Sequence, residues 1–167
     1  MNRFSMLLRR LSAATASRTA VVATALLSAC GGADSPNIPS NPAVEVYAAS
    51  LGVTIAAMTK KSEGLYVQDV VVGAGAEAIA GRTLEMTYSG YLITGSRFDS
   101  NVGGRLFSFV LGTGQVIAGW DLGVAGMKVG GKRKIVLGSA LGYGPSGQGT
   151  IPANATLVFD VEVVSVR

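Results

Sequence analysis

Short apolar runs separated by glycine turns dominate the sequence from residue 65 onward, and they leave room for only one short helix. Near-alternation of polar and apolar residues over 83–89 predicts a half-buried strand. The spacing of Val116, Ile117, Trp120 and Val124 suits a short amphipathic helix. Further strands are expected over residues 65–72, 107–111, 132–137 and 156–166. The pattern predicts an α+β fold, with an antiparallel five-stranded sheet wrapped around one short helix.

The first 29 residues have the composition of an export signal. Four arginines precede an apolar run over residues 20–27, which is too short to span a bilayer and typical of a signal-peptide core. The run ends in Leu27-Ser28-Ala29-Cys30, which resembles the lipobox of bacterial lipoproteins. That resemblance implies removal of residues 1–29 and lipidation of Cys30. An ordinary secretory signal followed by a free thiol is the alternative interpretation.

Cys30 is the only cysteine, so no intrachain disulfide can form. A terminus carrying several acyl chains gives stable anchoring, whereas a single chain gives only marginal binding. Because Gly31 rather than aspartate follows the cysteine, the lipoprotein resemblance implies the bacterial cell envelope. The expected location is the outer membrane, on its periplasmic side or surface, if the envelope has one.

A stretch rich in Pro, Gly, Ser and Asn follows Cys30, so residues 30–61 are interpreted as the lipidated cysteine and a flexible tether. Residues 43–61 contain more Ala, Val and Leu but show no clean period. They could form a short helix or an extra edge strand. Residues 62–167 are expected to form the folded domain, which is large enough to bury its own core.

The net charge of +4 comes from the predicted signal peptide, because the chain from Cys30 onward has ten basic and ten acidic residues. The chain from Cys30 onward therefore lacks the excess positive charge expected of a nucleic-acid-binding protein. The one basic cluster, Lys132-Arg133-Lys134, is expected at the solvent edge of a strand.

Several short motifs follow one another between residues 88 and 162. They are Tyr88-Ser89-Gly90-Tyr91, Phe98-Asp99-Ser100, Val116-Ile117-Ala118-Gly119-Trp120-Asp121, Gly142-Tyr143-Gly144 and Ile151-Pro152, with the run 155–162 closing the set. In order and spacing they resemble the FKBP-type peptidyl-prolyl cis-trans isomerases, over residues 62–167. The resemblance implies isomerisation of X-Pro bonds in a monomer that needs no cofactor or metal. Its partners would be proline-containing polypeptides and macrolide inhibitors of the FKBP class.

The same resemblance assigns roles to individual residues. Trp120 would form the floor under the proline ring. The Ile117 N–H and the Tyr143 hydroxyl would donate to ligand carbonyls, while Asp99 would lie beside the twisted amide and accept from Tyr88. Ile151 would close the rim. The walls would be formed by Tyr88, Phe98, Phe107, Val116, Ile117 and Phe159.

Each of these residues also has a structural interpretation, since large apolar side chains are usually buried in a core. Two other functional hypotheses remain open: a module or envelope chaperone that docks proline segments without turnover, and a purely structural lipoprotein. Asp99, Trp120 and Tyr143 together favour the enzyme. The segment between Asp99 and Phe107 is about one residue shorter than in well-known relatives, and Arg105 is displaced from the usual arginine position.

Overall fold

The computed structural model describes residues 40–167. The predicted signal peptide, the predicted lipidation site Cys30 and the first part of the predicted tether lie outside the described residues. Within the described range, no helix has the length and apolar character needed to cross a membrane.

Residues 40–167 form one antiparallel sheet of seven strands with a single α-helix, which confirms the predicted α+β class. The strand order is β1-β2-β6-β7-β3-β4, and β5 pairs with β3 beyond the end of β4. The bounds are β1 Thr59–Ser62, β2 Leu65–Val71, β3 Thr83–Leu92, β4 Arg97–Ser100, β5 Phe107–Val110, α1 Ala118–Val124, β6 Lys132–Leu137 and β7 Leu157–Val166. The sequence predicted five strands, and β1 and β4 are the additional ones.

One face of the sheet packs against α1. Strict alternation along β6 and β7 directs side chains such as Ile135, Leu137 and Leu157 to this face, where they are fully buried. The helix lies very close to the sheet: a Cβ on Gly119 would come within 2.6 Å of Leu137 Cδ2. A larger residue at position 119 would push the helix away. The close packing therefore fixes the depth at which the helix side chains sit.

The opposite face is partly covered by residues 40–58, which we call the strap. The strap contains three 3₁₀ turns, Pro42–Val44, Ala49–Leu51 and Ile55–Ala57. Leu51 packs there in a second cluster with Tyr66, Val136 and Val158.

Hydrogen bonds hold the strap at its start and near its middle. The Ser40 N–H donates to Ser139 Oγ over 3.1 Å, and the Ser139 N–H donates to Ser40 Oγ over 2.9 Å. Further along, the Ala48 N–H donates to the Ile93 carbonyl. The predicted flexible tether therefore does not extend through residues 40–61. The packed structure starts before the predicted domain boundary at residue 62, because the strap's apolar side chains cover the sheet.

The basic cluster Lys132-Arg133-Lys134 was predicted at a solvent edge, and this was wrong. Strand β6 lies inside the sheet, between β2 and β7. Ion pairs compensate the three cations, linking Lys132 to Glu162, Arg133 to Asp69 and Lys134 to Asp160. The cluster thus fastens three neighbouring strands to one another.

Candidate active site

Trp120 forms the base of an aromatic cluster on the helix side of the sheet. Its side chain is only 5% exposed. The ring of Tyr88 from β3 stands edge-on to the indole, with ring centres 5.0 Å apart. Phe159 from β7 and Phe107 from β5 meet it in the same way, at 5.4 and 5.9 Å. Edge-to-face packing of this kind is the favoured geometry for aromatic pairs, so the cluster is a rigid surface.

Gly90 makes room for the far wall of this cluster. Phe98 from β4 packs edge-on against Phe159, with ring centres 5.6 Å apart. A Cβ at Gly90 would lie 2.6 Å from Phe98 Cζ and 2.9 Å from Phe159 Cε1. The two rings can therefore reach their positions only because residue 90 has no side chain.

Polar contacts at both ends hold the helix that carries Trp120. At its start, the Asp121 carboxylate accepts from the Gly112 and Gly114 N–H groups, over 2.8 and 3.1 Å. At its end, the buried Arg133 guanidinium donates to the Gly123 carbonyl over 2.7 Å and also pairs with Asp69. Free carbonyls at a helix C-terminus need such donors. These contacts fix the orientation of the helix, and with it the indole.

The cluster surrounds an open cleft of about 520 Å³. Nine of the ten predicted cleft residues line it, together with Gln115 and Gln148. The nine are Tyr88, Phe98, Asp99, Phe107, Val116, Ile117, Trp120, Tyr143 and Phe159. The structure therefore brings together side chains from four strands, the helix and two loops.

Ile151 does not have the predicted position at the rim. It is buried in the core on the helix side of the sheet, and its backbone forms a bridge with Gln148. Gln148, its partner in this bridge, lines the cleft, whereas Ile151 does not. Sequence analysis also gave no role to Gln115, whose Oε1 accepts from the Val110 N–H. An amide side chain in a loop carries no pattern that would have identified it.

Tyr88 and Asp99 form the polar edge of the cleft. The Tyr88 hydroxyl donates to Asp99 Oδ2 over 2.6 Å, and the Ser100 N–H donates to the other carboxylate oxygen over 2.8 Å. Burial and the hydrogen bond to Asp99 raise the pKa of Tyr88 well above its ordinary value. Burial, with a smaller contribution from the Asp99 charge, also raises the pKa of Tyr143. Both hydroxyls are therefore protonated donors at neutral pH.

Two residues that line the cleft carry donors without internal partners. Within residues 40–167, neither the Ile117 N–H nor the Tyr143 hydroxyl donates to another protein group. Ile117 is the N-cap residue of the helix, so its N–H is not part of the helical ladder. The cleft thus combines an apolar floor with two available donors and one carboxylate.

This arrangement belongs to a known family. Residues 75–164 match the family model described as FKBP-type peptidyl-prolyl cis-trans isomerase. The chain belongs to this family. The FKBP resemblance noted in the sequence is thereby confirmed for the domain.

Curated FKBP relatives differ greatly in length. The "FK506-binding protein" of Neisseria meningitidis serogroup B is 47% identical over 105 residues, which cover 62% of this chain and 96% of that protein. "FK506-binding protein 4" of Rhizopus delemar is 50% identical over 111 residues, covering 66% of this chain. This chain spans only 29% of the Rhizopus protein.

Solved FKBP structures share the fold. The crystal structure of AtFKBP13 superposes with a TM-score of 0.61 at 36% identity, covering 66% of this chain and 98% of that one. FkpA from Escherichia coli gives the same TM-score at 40% identity, covering 66% of this chain and 52% of the FkpA chain. The shared region is the isomerase domain.

Proposed function

We propose that this protein accelerates cis-trans rotation about X-Pro bonds in partly folded polypeptides, using the aromatic cleft without covalent chemistry. The observation that carries the proposal is the cleft itself: an open aromatic slot floored by Trp120 and bordered by the Tyr88–Asp99 pair. Its residues come from separate elements that close approaches at Gly90 and Gly119 and the part-buried Arg133–Asp69 pair hold in place.

The uncatalysed rotation is slow because the amide C–N bond must lose its partial double-bond character. It takes tens to hundreds of seconds at 25 °C, which is slow enough to limit folding. In the twisted state the amide is less conjugated and less polar, so an apolar pocket favours it over the planar state. Donors at Ile117 and Tyr143 would hold the flanking carbonyls in a turn. Removing about 5 kcal/mol from the barrier would accelerate rotation by roughly 10³ to 10⁴.

Isomerisation of Xaa-Pro peptides, followed by NMR exchange or protease coupling, tests the proposal. Wild-type protein should show turnover that Asp99→Ala and Trp120→Leu strongly reduce while both variants remain folded. Binding of the same peptides without any turnover would instead establish the docking module. Ligands of the FK506 class should compete for the cleft, as the names of the relatives suggest.

We further propose that the protein acts in a bacterial envelope as a lipoprotein anchored through Cys30. Support comes from the Leu27-Ser28-Ala29-Cys30 sequence after a basic and apolar leader. The substrates would then be envelope proteins whose folding rate is limited by isomerisation of an X-Pro bond.

Inhibition of the lipoprotein signal peptidase tests this assignment. Treated cells should accumulate a larger precursor, and Cys30→Ala protein should fail to incorporate labelled palmitate. An unchanged mature size together with palmitate-free wild-type protein would overturn the anchor but leave the isomerase proposal standing.

A further inference from the structure

The third strand has an unpaired stretch beside the cleft. On one edge, β3 pairs with β7 along its whole length. On the other edge, its pairing with β5 ends at Met86, opposite Phe107, and its pairing with β4 starts only at Ser89, opposite Ser100. The backbone N–H and C=O of Tyr88, which point to that edge, thus have no partner in a named strand there, although Tyr88 carries a side chain of the cleft. Unpaired backbone polar groups are costly, so something must satisfy them.

Asn101 fills this gap. Its Oδ1 accepts from the Tyr88 N–H over 2.7 Å, and its Nδ2 donates to the Met86 carbonyl over 3.0 Å. The Asn101 backbone N–H donates to the Tyr88 carbonyl over 3.2 Å. Together with Ser100 Oγ, which donates to the same Tyr88 carbonyl over 3.1 Å, the Asn101 side chain and backbone thus reproduce the hydrogen bonds that a paired strand residue would make.

The same carboxamide also closes the loop between β4 and β5. Its Nδ2 donates to the Arg105 carbonyl over 3.1 Å, and the Gly104 N–H donates to the Asn101 carbonyl over 2.9 Å. Asp99 lies two residues before Asn101 and Phe107 six residues after it. One side chain therefore connects the segments that carry Tyr88, Asp99 and Phe107.

We propose that Asn101 is a positioning residue of the isomerase, acting as a substitute strand residue that sets the Tyr88–Asp99 pair and the Phe107 wall. This inference rests on the cleft mechanism proposed above. Asn101 itself is not among the residues that line the cleft. Its effect on turnover would pass through the geometry of the residues that do.

The amide is specifically suited to this place because it combines an acceptor for an N–H with donors for two carbonyls. Aspartate would keep the acceptor for Tyr88 but lose the donors to Met86 and Arg105. Alanine would lose the acceptor as well as the donors. The series Asn101→Asp and Asn101→Ala therefore removes the contacts in two steps.

The test measures kcat and KM for an Xaa-Pro peptide with the full-length protein and both variants. Thr83→Gly is the matched control, because it weakens the far end of the same strand, away from the cleft. Asn101→Ala should lower kcat/KM by about tenfold or more relative to Thr83→Gly at equal folded fraction. The main effect should be on kcat. Asn101→Asp should give a smaller loss and serves as the test if the alanine variant does not fold.

A spectroscopic signature separates positioning from general destabilisation. In protein labelled at tyrosine Cζ, the Tyr88 resonance should titrate at lower pH in Asn101→Ala than in wild type, because the bond to Asp99 is weakened. Turnover within about twofold of the control would overturn the inference, as would lost turnover with an unchanged Tyr88 titration. Trp120→Leu is measured in parallel: if it also keeps full turnover, the cleft mechanism fails and not the role of Asn101 alone.

Discussion

The two faces of the sheet both carry aromatic and aliphatic clusters, yet the aromatic cleft floored by Trp120 lies on one of them only. On the helix side, Trp120 and its surrounding rings border an open volume of about 520 Å³. On the other side, Tyr66, Val136 and Val158 pack under Leu51 of the strap. The comparison teaches that residue composition does not distinguish a binding face from a core. What distinguishes them is whether another part of the chain covers the face.

The largest effect, on the free energy of unfolding, is expected from deleting the strap that covers one face. Deletion of residues 40–58 would expose the apolar surface over Val136 and Val158, both fully buried in the intact protein. Full burial of one such side chain contributes roughly 1.5–3 kcal/mol, so the free energy of unfolding should fall by about 3 kcal/mol or more. Urea unfolding measures the loss. Turnover per folded molecule should be retained, and an unchanged stability would show that the strap is not part of the core.

A smaller effect is expected from crowding the cleft itself. Gly90→Ala would place a methyl group against Phe98 and Phe159, and overpacking of this kind costs about 1–3 kcal/mol. Because the strained rings border the cleft, kcat/KM should fall as well. Thr87→Ala, on the other face of the same strand, is the control and should leave kcat/KM unchanged. Equal turnover in wild type and Gly90→Ala would contradict the proposed importance of the wall geometry.

A matched pair of hydroxyl deletions compares the two faces directly. Tyr143→Phe removes a donor that faces the cleft, so peptide binding should weaken by the worth of one hydrogen bond, about 0.5–1.5 kcal/mol, with little change in stability. Tyr47→Phe removes the strap's hydrogen bond to the Pro42 carbonyl, so it should lower stability with little change in peptide binding. Calorimetric titration and thermal unfolding measure the two quantities. Weaker peptide binding in Tyr47→Phe alone would reverse the assignment of the faces.

The smallest effect is expected from pH. Burial and Asp99 raise the pKa of both Tyr88 and Tyr143 above the ordinary value of about 10. In the folded protein the raised pKa of each hydroxyl favours its protonated form. The stabilisation that the two hydroxyls contribute is therefore present below pH 10 and is lost only as pH rises through their pKa values in the folded state. Peptide affinity should therefore be flat between pH 7 and about 9.5. A fall centred near pH 8 would contradict this protonation state.

The sequence predicted much of the fold because alternation marks half-buried strands. The regions 65–72, 83–89 and 132–137 correspond closely to β2, β3 and β6. For residues 43–61 an edge strand was one of two open alternatives, and only β1, Thr59–Ser62, forms one; its residues are polar and lie at an edge, where no face has to be apolar. Strand β4 has only four residues, too few for a period to show.

The strap and Asn101 could not be predicted for a different reason. The strap buries its side chains through short 3₁₀ turns, which impose no period on the sequence. Asn101 acts through a gap in strand pairing that exists only once β4 and β5 are in place. Ile151 lies in a short loop with no period, so the sequence could not show that its side chain is buried outside the cleft. The FKBP resemblance, by contrast, identified most of the residues that line the cleft.

Mapping of peptide binding by NMR tests the central claim that the uncovered aromatic face is the functional one. Trp120 is the only tryptophan, so its indole N–H gives a unique signal from the floor of the cleft. Titration with an Xaa-Pro peptide should shift this signal and the Ile117 amide, while the Leu51 and Tyr66 amides on the strap side stay unchanged. Shifts confined to the strap side, with the Trp120 signal unmoved, would contradict the account.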